Sequence, residues 1–165
     1  MCLIPRWDDN RTYLDYGAGG FYIRSVGAGT AYAMFMASNR NIGIRTDDPG
    51  YALDVTGTIR ATADIIAYSD GRYKTNVITL SNALERVNQM RGIYYTMKDK
   101  PEDRKVGVIA QEMEAVLPEV VMTDDSEDKK KSVAYGNLTA ILIEAVKELT
   151  ARLERIEQKL NLTVE

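Results

Sequence analysis

One stripe of hydrophobic residues near the C-terminus restricts the fold of this chain more than any other feature. Its members recur at alternating steps of four and three residues, at Leu142, Val146, Leu149, Leu153, Ile156 and Leu160. This spacing matches the d and a positions of a coiled coil, so we predict a coiled-coil helix over about residues 136–162. Arg152 at a g position and Glu157 at the next e position can pair between neighbouring helices. A single amphipathic helix packed on its own domain has the same pattern and stays the alternative.

The N-terminal part, residues 1–68, differs in kind from the remainder. The stretch "YLDYGAGGFYIRSVGAGTAYAMF" (13–35) mixes aromatic and β-branched residues with glycines, which is typical of short strands broken by tight turns. Strands are also predicted within 41–50 and 51–70, where hydrophobic residues alternate with polar ones. Few long apolar side chains are available to cover the strand edges, so we predict pairing with other copies of the chain in a trimeric β-prism or β-helix. An ordinary monomeric β-domain is the alternative.

The remainder, residues 69–165, carries both helical and strand patterns, which makes the predicted fold class α+β. Ser81 can cap a helix whose apolar residues, Leu84, Val87 and Met90, recur at helical spacing. Further patterns predict a strand at 92–98, a strand leading into a helix over 106–121, and a short strand at 132–135. The predicted order is therefore a β-rich segment, then an α+β domain that ends in the long coiled-coil helix.

The composition removes several kinds of chemistry. Among 165 residues there is no histidine and a single cysteine, Cys2, which excludes histidine triads, zinc clusters and an internal disulfide. The net charge of −3 gives no reason to expect a nucleic-acid partner. No hydrophobic run approaches the length of a membrane span, and the first residues are too short for a signal peptide. We expect no cofactor and no membrane partner, and the abrupt start suggests a piece of a longer protein.

One short stretch, "AYSDGRYKTNV" (67–77), places Ser69 five positions before Lys74. If Asp70 and Gly71 form the two-residue loop of a hairpin, Lys74 becomes a diagonal neighbour of Ser69 within reach of its side chain. Without histidine, a desolvated lysine is the available base for a serine nucleophile. Lysine has a reference pKa of about 10.4 and is inactive as a base until burial disfavours its charge. Burial in an assembled interface could therefore switch the pair on, although the spacing alone is a weak signal that occurs by chance in most proteins.

Three motifs in order carry a resemblance to a known family: "SDGRYKTNV" (69–77), "GVIAQEMEAVLPEVV" (107–121) and "VAYGNLTAILIEAVKEL" (133–149). They resemble the C-terminal intramolecular chaperone domain of phage tailspikes, tail fibres and neck appendages. This auto-processing family is best known from endosialidases, and a related domain occurs in myelin regulatory factors. The segment 41–65 also resembles the repeat-like β segment that often precedes this domain in phage fibres.

The resemblance implies a homotrimer in which residues 69–165 act as an intramolecular chaperone domain for the β-rich fibre end, residues 1–68. It implies a self-cleaving serine peptidase whose substrate is its own N-terminal fibre chain, cut between Tyr68 and Ser69, with Ser69 as nucleophile and Lys74 as base. Ser69 Oγ would attack the carbonyl of Tyr68 in an N-to-O acyl shift, and water would hydrolyse the ester. The motif positions with a supporting role are Asp70, Arg72, Gln111 and Glu112. Arg72 or a backbone N–H could stabilise the oxyanion, whereas Gln111 and Glu112 also fit an ordinary polar helix start.

The same resemblance implies a location in the virion, with folding in the host cytoplasm during assembly, and a host surface receptor as a partner of the parent fibre. Three other functions compete with it. The first is a structural trimerisation cap that does not cleave, and the second is a membrane-tethered transcription factor, which lacks support because no basic DNA-reading element or membrane span is visible. The third is a receptor-binding tip, whose candidate contacts with host sugars or proteins are Tyr13, Tyr16, Tyr22 and Tyr32.

Overall fold

The computed structural model describes residues 2–6, 11–24, 32–125 and 127–160 of the chain. The chain divides into two compact units, Met1–Tyr68 and Ser69–Glu165. Small sheets make up the first unit, and the second combines small sheets with helices and ends in a long helix. The predicted α+β class is confirmed at this level.

The N-terminal unit consists of short strands. Strand β1 (Cys2–Arg6) pairs antiparallel with β2 (Arg11–Asp15). A second sheet has the order β3, β4, β5, β6, with β3 at Phe21–Arg24, β4 at Tyr32–Met36, β5 at Ile42–Ile44 and β6 at Leu53–Val55. The strands predicted within 41–50 and 51–70 are confirmed, although the second one ends at Val55 and the hydrophobic residues beyond it belong to no strand.

The pairing of β5 with β6 is parallel, which the alternating pattern did not predict. Arg45, directly after β5, has a positive φ of 61° and turns the chain out of the strand. The side-chain amide of Asn41 donates to the carbonyl oxygen of Pro49 at 2.9 Å and holds the connecting loop beside the start of β5. Hydrophobic alternation shows that a segment is a strand, but it carries no information about the direction of its neighbour.

Over its described residues, the C-terminal unit combines three α-helices with two hairpin-like strand pairs. Strands β7 and β8 pair antiparallel, as do β9 and β10. Its elements are a 3₁₀ turn at Gly71–Tyr73, α1 at Ala83–Gln89, β7 at Ile93–Met97, β8 at Lys100–Gly107, α2 at Ala110–Val116, a 3₁₀ turn at Pro118–Val120, β9 at Val121–Thr123, β10 at Lys131–Val133, a 3₁₀ turn at Tyr135–Asn137 and α3 at Leu138–Leu160. Strand β8 begins six residues before the predicted position 106. Residues 100–106 are exposed, and an exposed strand need not show hydrophobic alternation, so the sequence pattern did not reveal them.

The core of the C-terminal unit is formed mainly by its three helices. Its buried members are Ala83, Met113, Leu117, Val120, Ile141 and Ala145. Leu84, Val87 and Met90 pack against this cluster. The helical spacing that predicted α1 is therefore confirmed, and its hydrophobic face lies on the core.

The N-terminus of α1 is capped from another helix, so the prediction that Ser81 caps it is wrong. The residue at the N-cap position is Asn82, whose φ of 54° lies in the left-handed region and whose side chain makes no capping bond. Instead, the carboxylate of Glu148 in α3 accepts hydrogen bonds from the backbone N–H groups of Leu84 and Ala83, each at 2.9 Å. These bonds, with Leu84 as the larger cause, lower the pKa of Glu148 below its usual value.

Replacing Glu148 by glutamine should lower the melting temperature at neutral pH by a few degrees. The folded-state pKa is lowered, so the ionised carboxylate stabilises the fold above its unfolded pKa of about 4.3, and this stabilisation is lost as pH falls through the folded pKa. The difference between wild type and Glu148→Gln should therefore shrink in acid. Thermal melts of both chains across pH measure it, with the exposed Glu154→Gln on the same helix as the control. Equal melting temperatures for wild type and Glu148→Gln at neutral pH would contradict the capping role.

Helix α3 has two hydrophobic faces with different surroundings. Ile141 and Ala145 are buried where α3 packs against α1. The a/d stripe, in contrast, is between 48% and 62% exposed at every one of its members. Arg152 and Glu157 form no ion pair among the residues that the structure describes. The predicted helix is confirmed over 138–160, and the residues that pack it on its own unit are not those of the stripe.

Two further observations concern the described ranges alone. No helix there is long and apolar enough to cross a membrane. No group of acidic, histidine or cysteine side chains there could hold a metal ion.

Candidate functional site

The structure brings the hydroxyl of Ser69 and the amine of Lys74 into direct contact. The Lys74 Nζ atom donates a hydrogen bond to Ser69 Oγ at 2.7 Å. Such a distance is suitable for proton transfer between a nucleophile and its base. Both side chains are exposed in the single chain.

A 3₁₀ turn, and not the predicted hairpin, brings the two residues together. The backbone N–H of Tyr73 donates to the carbonyl oxygen of Asp70, and that of Lys74 to Gly71, each at 3.1 Å. Gly71 does not adopt the positive φ that a type I′ hairpin loop requires. The residues on both sides of the turn form no strands, so a hairpin would have nothing to pair. The prediction of a hairpin loop is wrong, but the predicted proximity of Ser69 and Lys74 is observed.

Asp70 and Arg72 are joined across this turn. One carboxylate oxygen of Asp70, Oδ1, accepts from the Arg72 backbone N–H at 2.9 Å and from Arg72 Nε at 3.1 Å. The other, Oδ2, accepts from Arg72 Nε at 3.0 Å and from Nη2 at 2.6 Å. The hydrogen bonds from the Arg72 side chain are the main cause that lowers the pKa of Asp70 below its usual value. The carboxylate therefore caps the turn and binds the guanidinium at the same time.

The chain on both sides of the turn lies outside helices and strands and is rich in exposed hydrophobic side chains. Tyr68, directly before Ser69, is fully exposed, and Tyr73 within the turn is largely exposed. The flanking hydrophobic residues that are also exposed are Ile65, Ile66, Val77 and Ile78. In the single chain, the site is therefore open to water on a segment whose composition favours contact with other protein surfaces.

Gln111 and Glu112 lie in the first turn of α2, and neither makes a hydrogen bond to Ser69 or Lys74 among the described residues. The Glu112 carboxylate instead binds the guanidinium of Arg91, whose Nε donates to Oε2 at 3.2 Å and whose Nη2 donates to Oε1. Hydrogen bonding from Arg91 is the main cause that lowers the pKa of Glu112. In the single chain, Glu112 thus ties α2 to the segment after α1, and a role beside the dyad stays a prediction. Sequence reasoning missed Arg91, which lies in no recognisable motif.

Two of the four tyrosines considered for receptor binding have described side chains. Tyr16 Oη donates to the carbonyl oxygen of Ala37 at 3.3 Å, and Tyr22 stacks on Phe35 with ring centroids 4.3 Å apart. The side chains of Tyr13 and Tyr32 lie outside the described part of the structure. The two described rings therefore contribute to packing of the N-terminal unit.

Comparison with known proteins finds a family model that matches part of this chain and several similar proteins. Residues 69–122 match the model of the peptidase family S74, described as the chaperone of endosialidase. The long tail fibre proteins Gp37 of Enterobacteria phages K3 and T2 are each 39% identical to this chain over 101 residues, which is 56% of this chain and 8% and 7% of theirs. Myelin gene regulatory factor-like A of Dictyostelium discoideum is 28% identical over 145 residues, 74% of this chain and 15% of its own.

These findings confirm the resemblance recognised from the three motifs, including the relation to myelin regulatory factors. The chain spans less than a tenth of the length of the two Gp37 relatives. The family match begins at Ser69, which is also the first residue of the second compact unit.

Proposed function

Because residues 69–122 match the endosialidase chaperone family, we propose that this chain is the C-terminal end of a phage fibre or tailspike with its own intramolecular chaperone. The chaperone domain, residues 69–165, holds three chains together while the β-rich segment, residues 1–68, folds, and is then released by autoproteolysis between Tyr68 and Ser69. The observation that carries this proposal is the 2.7 Å contact between Lys74 Nζ and Ser69 Oγ, at the start of the matched region. The similarity to Gp37 tail fibre proteins supports a fibre in the virion as the parent protein.

The trimer is supported by surfaces that a single chain leaves uncovered. The a/d stripe of α3 is about half exposed along its whole length, as expected for helices that pack on copies of themselves. In the N-terminal unit, β6 is the edge of its sheet, and its Leu53 is exposed. An open strand edge presents unpaired backbone groups with which another chain can pair. A homotrimer that continues from the fibre into a coiled coil covers both surfaces.

The chemistry of release follows from the dyad. The neutral amine of Lys74 removes the proton from Ser69 Oγ, and Oγ attacks the carbonyl carbon of Tyr68. The bond from this carbon to the Ser69 nitrogen breaks as that nitrogen gains a proton, which leaves an ester between Tyr68 and Ser69 Oγ and a free α-amine on Ser69. Water then hydrolyses the ester, so the products are residues 1–68 with a Tyr68 carboxylate and residues 69–165 with the Ser69 hydroxyl restored.

Assembly supplies the control of this reaction. A lysine acts as a base only where burial disfavours its charged form. Ser69, Lys74 and the hydrophobic residues around them are exposed in the single chain, so neighbouring chains must provide the burial. Cleavage is thereby restricted to chains that have already assembled.

Release also has a physical benefit for the fibre. Interleaved β-structures form mostly non-local contacts and fold slowly, and a domain that holds three chains in register lowers the entropic cost of starting. Once that domain has been released, an unfolded fibre can no longer refold quickly with its help. The stability of the fibre then depends on a high barrier to unfolding, in other words on kinetics.

Intact mass of the folded wild-type chain beside Ser69→Ala tests the proposal. We expect the wild type to yield a fragment that begins at Ser69 while the variant stays whole, because only the variant lacks the nucleophile. Both chains should be trimeric by light scattering before cleavage. Full-length wild-type chains in a stable trimer would contradict autoproteolysis.

A non-cleaving trimerisation cap is the second candidate function. The exposed stripe of α3 favours it as much as the chaperone, since a coiled coil needs no catalytic dyad. If the wild type is trimeric by light scattering but its chains stay full length by intact mass, this second function is the one supported.

A further inference from the structure

The carboxylate of Asp70 makes more contacts than any other side chain in the turn that carries the dyad. It accepts one backbone hydrogen bond and three side-chain hydrogen bonds, all from Arg72, at 2.6 to 3.1 Å. Its side chain is 35% exposed and that of Arg72 is 84% exposed. Exposed ion pairs commonly add little to stability. This contact therefore affects the local geometry of the turn more than the stability of the fold.

The explanation lies in the distance that the turn must close. In an extended chain, the Cα atoms of residues 69 and 74 would lie about 17 Å apart, farther than a lysine side chain reaches. The 3₁₀ turn shortens this separation, and its two backbone hydrogen bonds are exposed to competing water. A turn of three residues is marginal by itself, and the contacts between Asp70 and Arg72 add to its two backbone hydrogen bonds.

We propose that Asp70 and Arg72 are positioning residues that hold the turn so that Lys74 Nζ stays on Ser69 Oγ, an inference that rests on the proposed function. The Asp70 carboxylate fixes the turn through the Arg72 backbone, and the Arg72 guanidinium fixes the carboxylate through a two-point contact. Neither residue exchanges a proton in the reaction. When neighbouring chains exclude water from the site, the lower dielectric strengthens the pair at the stage when the dyad must act.

This role differs from the one considered for Arg72 from the sequence, oxyanion stabilisation. Two of its three guanidinium nitrogens, Nε and Nη2, are occupied by Asp70. Asp70 thereby takes two of the five N–H donors of the guanidinium, and the remaining three make no hydrogen bond to the carbonyl of Tyr68 among the described residues. In the single chain, Arg72 therefore acts within the turn, through Asp70.

Cleavage rates of the full chain test the positioning role. Arg72→Ala should slow the appearance of the Ser69 fragment by about 10–100-fold, as expected when a base is displaced from its nucleophile by about an ångström. Millimolar guanidinium should restore much of this rate, because it can occupy the vacated site on Asp70, whereas sodium chloride at equal ionic strength should not. Asp70→Ala should also cleave slowly, and guanidinium should not change its rate because the carboxylate that would bind it is missing. Arg155→Ala, which removes an exposed arginine from α3, is the matched control and should cleave at the wild-type rate.

Several outcomes would overturn the positioning role. Wild-type rates for both Arg72→Ala and Asp70→Ala would do so, as would a trimeric Arg72→Ala that is slow but unaffected by guanidinium. If Arg72→Ala does not trimerise, Asp70→Asn decides instead, because its amide oxygen still accepts from the Arg72 backbone but carries no charge. If Asp70→Asn cleaves at the wild-type rate, the proposal is contradicted.

A structural measurement separates this proposal from the proposed function. If the wild type itself does not cleave, the proposal of autoproteolysis is wrong. The positioning role of Asp70 and Arg72 can still be examined in a crystal structure of Asp70→Ala. The proposal expects Lys74 Nζ to leave Ser69 Oγ in that variant. A hydrogen bond retained between these two atoms would overturn it.

Discussion

Lys74→Met is expected to give a trimer that stays uncleaved. The substitution keeps an unbranched side chain that is one atom shorter, and it removes the amine that contacts Ser69 Oγ and can accept its proton. General bases contribute about 10²–10⁴-fold to such reactions, so the fragment that begins at Ser69 should appear at least that much more slowly. Intact mass over time after folding measures the rate, and light scattering shows that the variant has assembled.

Lys74→Arg separates the role of a base from the role of a charge. Arginine keeps the positive charge and can donate to Ser69, but it is not deprotonated in proteins. We therefore expect Lys74→Arg to be as inactive as Lys74→Met, while Lys98→Met, which removes an exposed lysine after β7, cleaves normally. Cleavage of Lys74→Arg near the wild-type rate would show that Lys74 is not the base.

Leu153→Glu is expected to abolish both the trimer and the cleavage. Leu153 lies in the middle of the a/d stripe and is 53% exposed in the single chain, so its replacement disturbs little within one protomer. In a three-helix interface, the substitution would bury three carboxylates near one another without partners, which costs several kcal/mol. A chain that remains monomeric keeps its dyad in water, where the lysine cannot act as a base.

Ala151→Glu is the matched control for this prediction. Ala151 lies on the outer face of the same helix, at an f position, and is exposed. Light scattering and intact mass should show a trimer that cleaves like the wild type. If Leu153→Glu is monomeric and nevertheless cleaves at the wild-type rate, the dyad acts within one chain and assembly does not control it.

The parts of the fold that were predicted correctly depend on local patterns. The periodicity of the a/d stripe predicted α3, and the spacing of Leu84, Val87 and Met90 predicted the face of α1 that lies on the core. These patterns persist over several turns and do not depend on distant parts of the chain. The strands β5 and β6 were also predicted from a local pattern, the alternation of hydrophobic and polar residues over a few positions.

The parts that were predicted wrongly or missed depend on distant residues. The cap of α1 comes from Glu148, which follows Leu84 by 64 positions, so no rule about neighbouring residues could replace Ser81 with it. The Asp70-Gly71 pair predicted a hairpin, but the rule applies only between two strands, and the segments on either side of this pair form no strands. Asp70 then satisfies the backbone of Arg72 with its own side chain, which is the usual alternative for this residue type.

The structure brings Ser69 and Lys74 together as predicted but does not bring Gln111 or Glu112 to them, and the catalytic roles of these residues stay a prediction. Ser69 and Lys74 were paired from spacing and from the resemblance, and the structure places them in contact by a turn of another type. The contact between Asp70 and Arg72 was not foreseen, because two residues of opposite charge two positions apart meet only where the backbone turns sharply. Their place in the motif was visible in the sequence, and their contact required the structure.

The most direct test of autoproteolysis by Ser69 is the intact mass of the assembled wild-type chain with and without hydroxylamine, beside Ser69→Ala. We predict that the wild type releases residues 69–165, and that hydroxylamine traps the ester so that residues 1–68 end in a Tyr68 hydroxamate. Ser69→Ala should give neither product. A wild-type trimer whose chains all stay full length, or one cut at any bond other than Tyr68–Ser69, would contradict the mechanism.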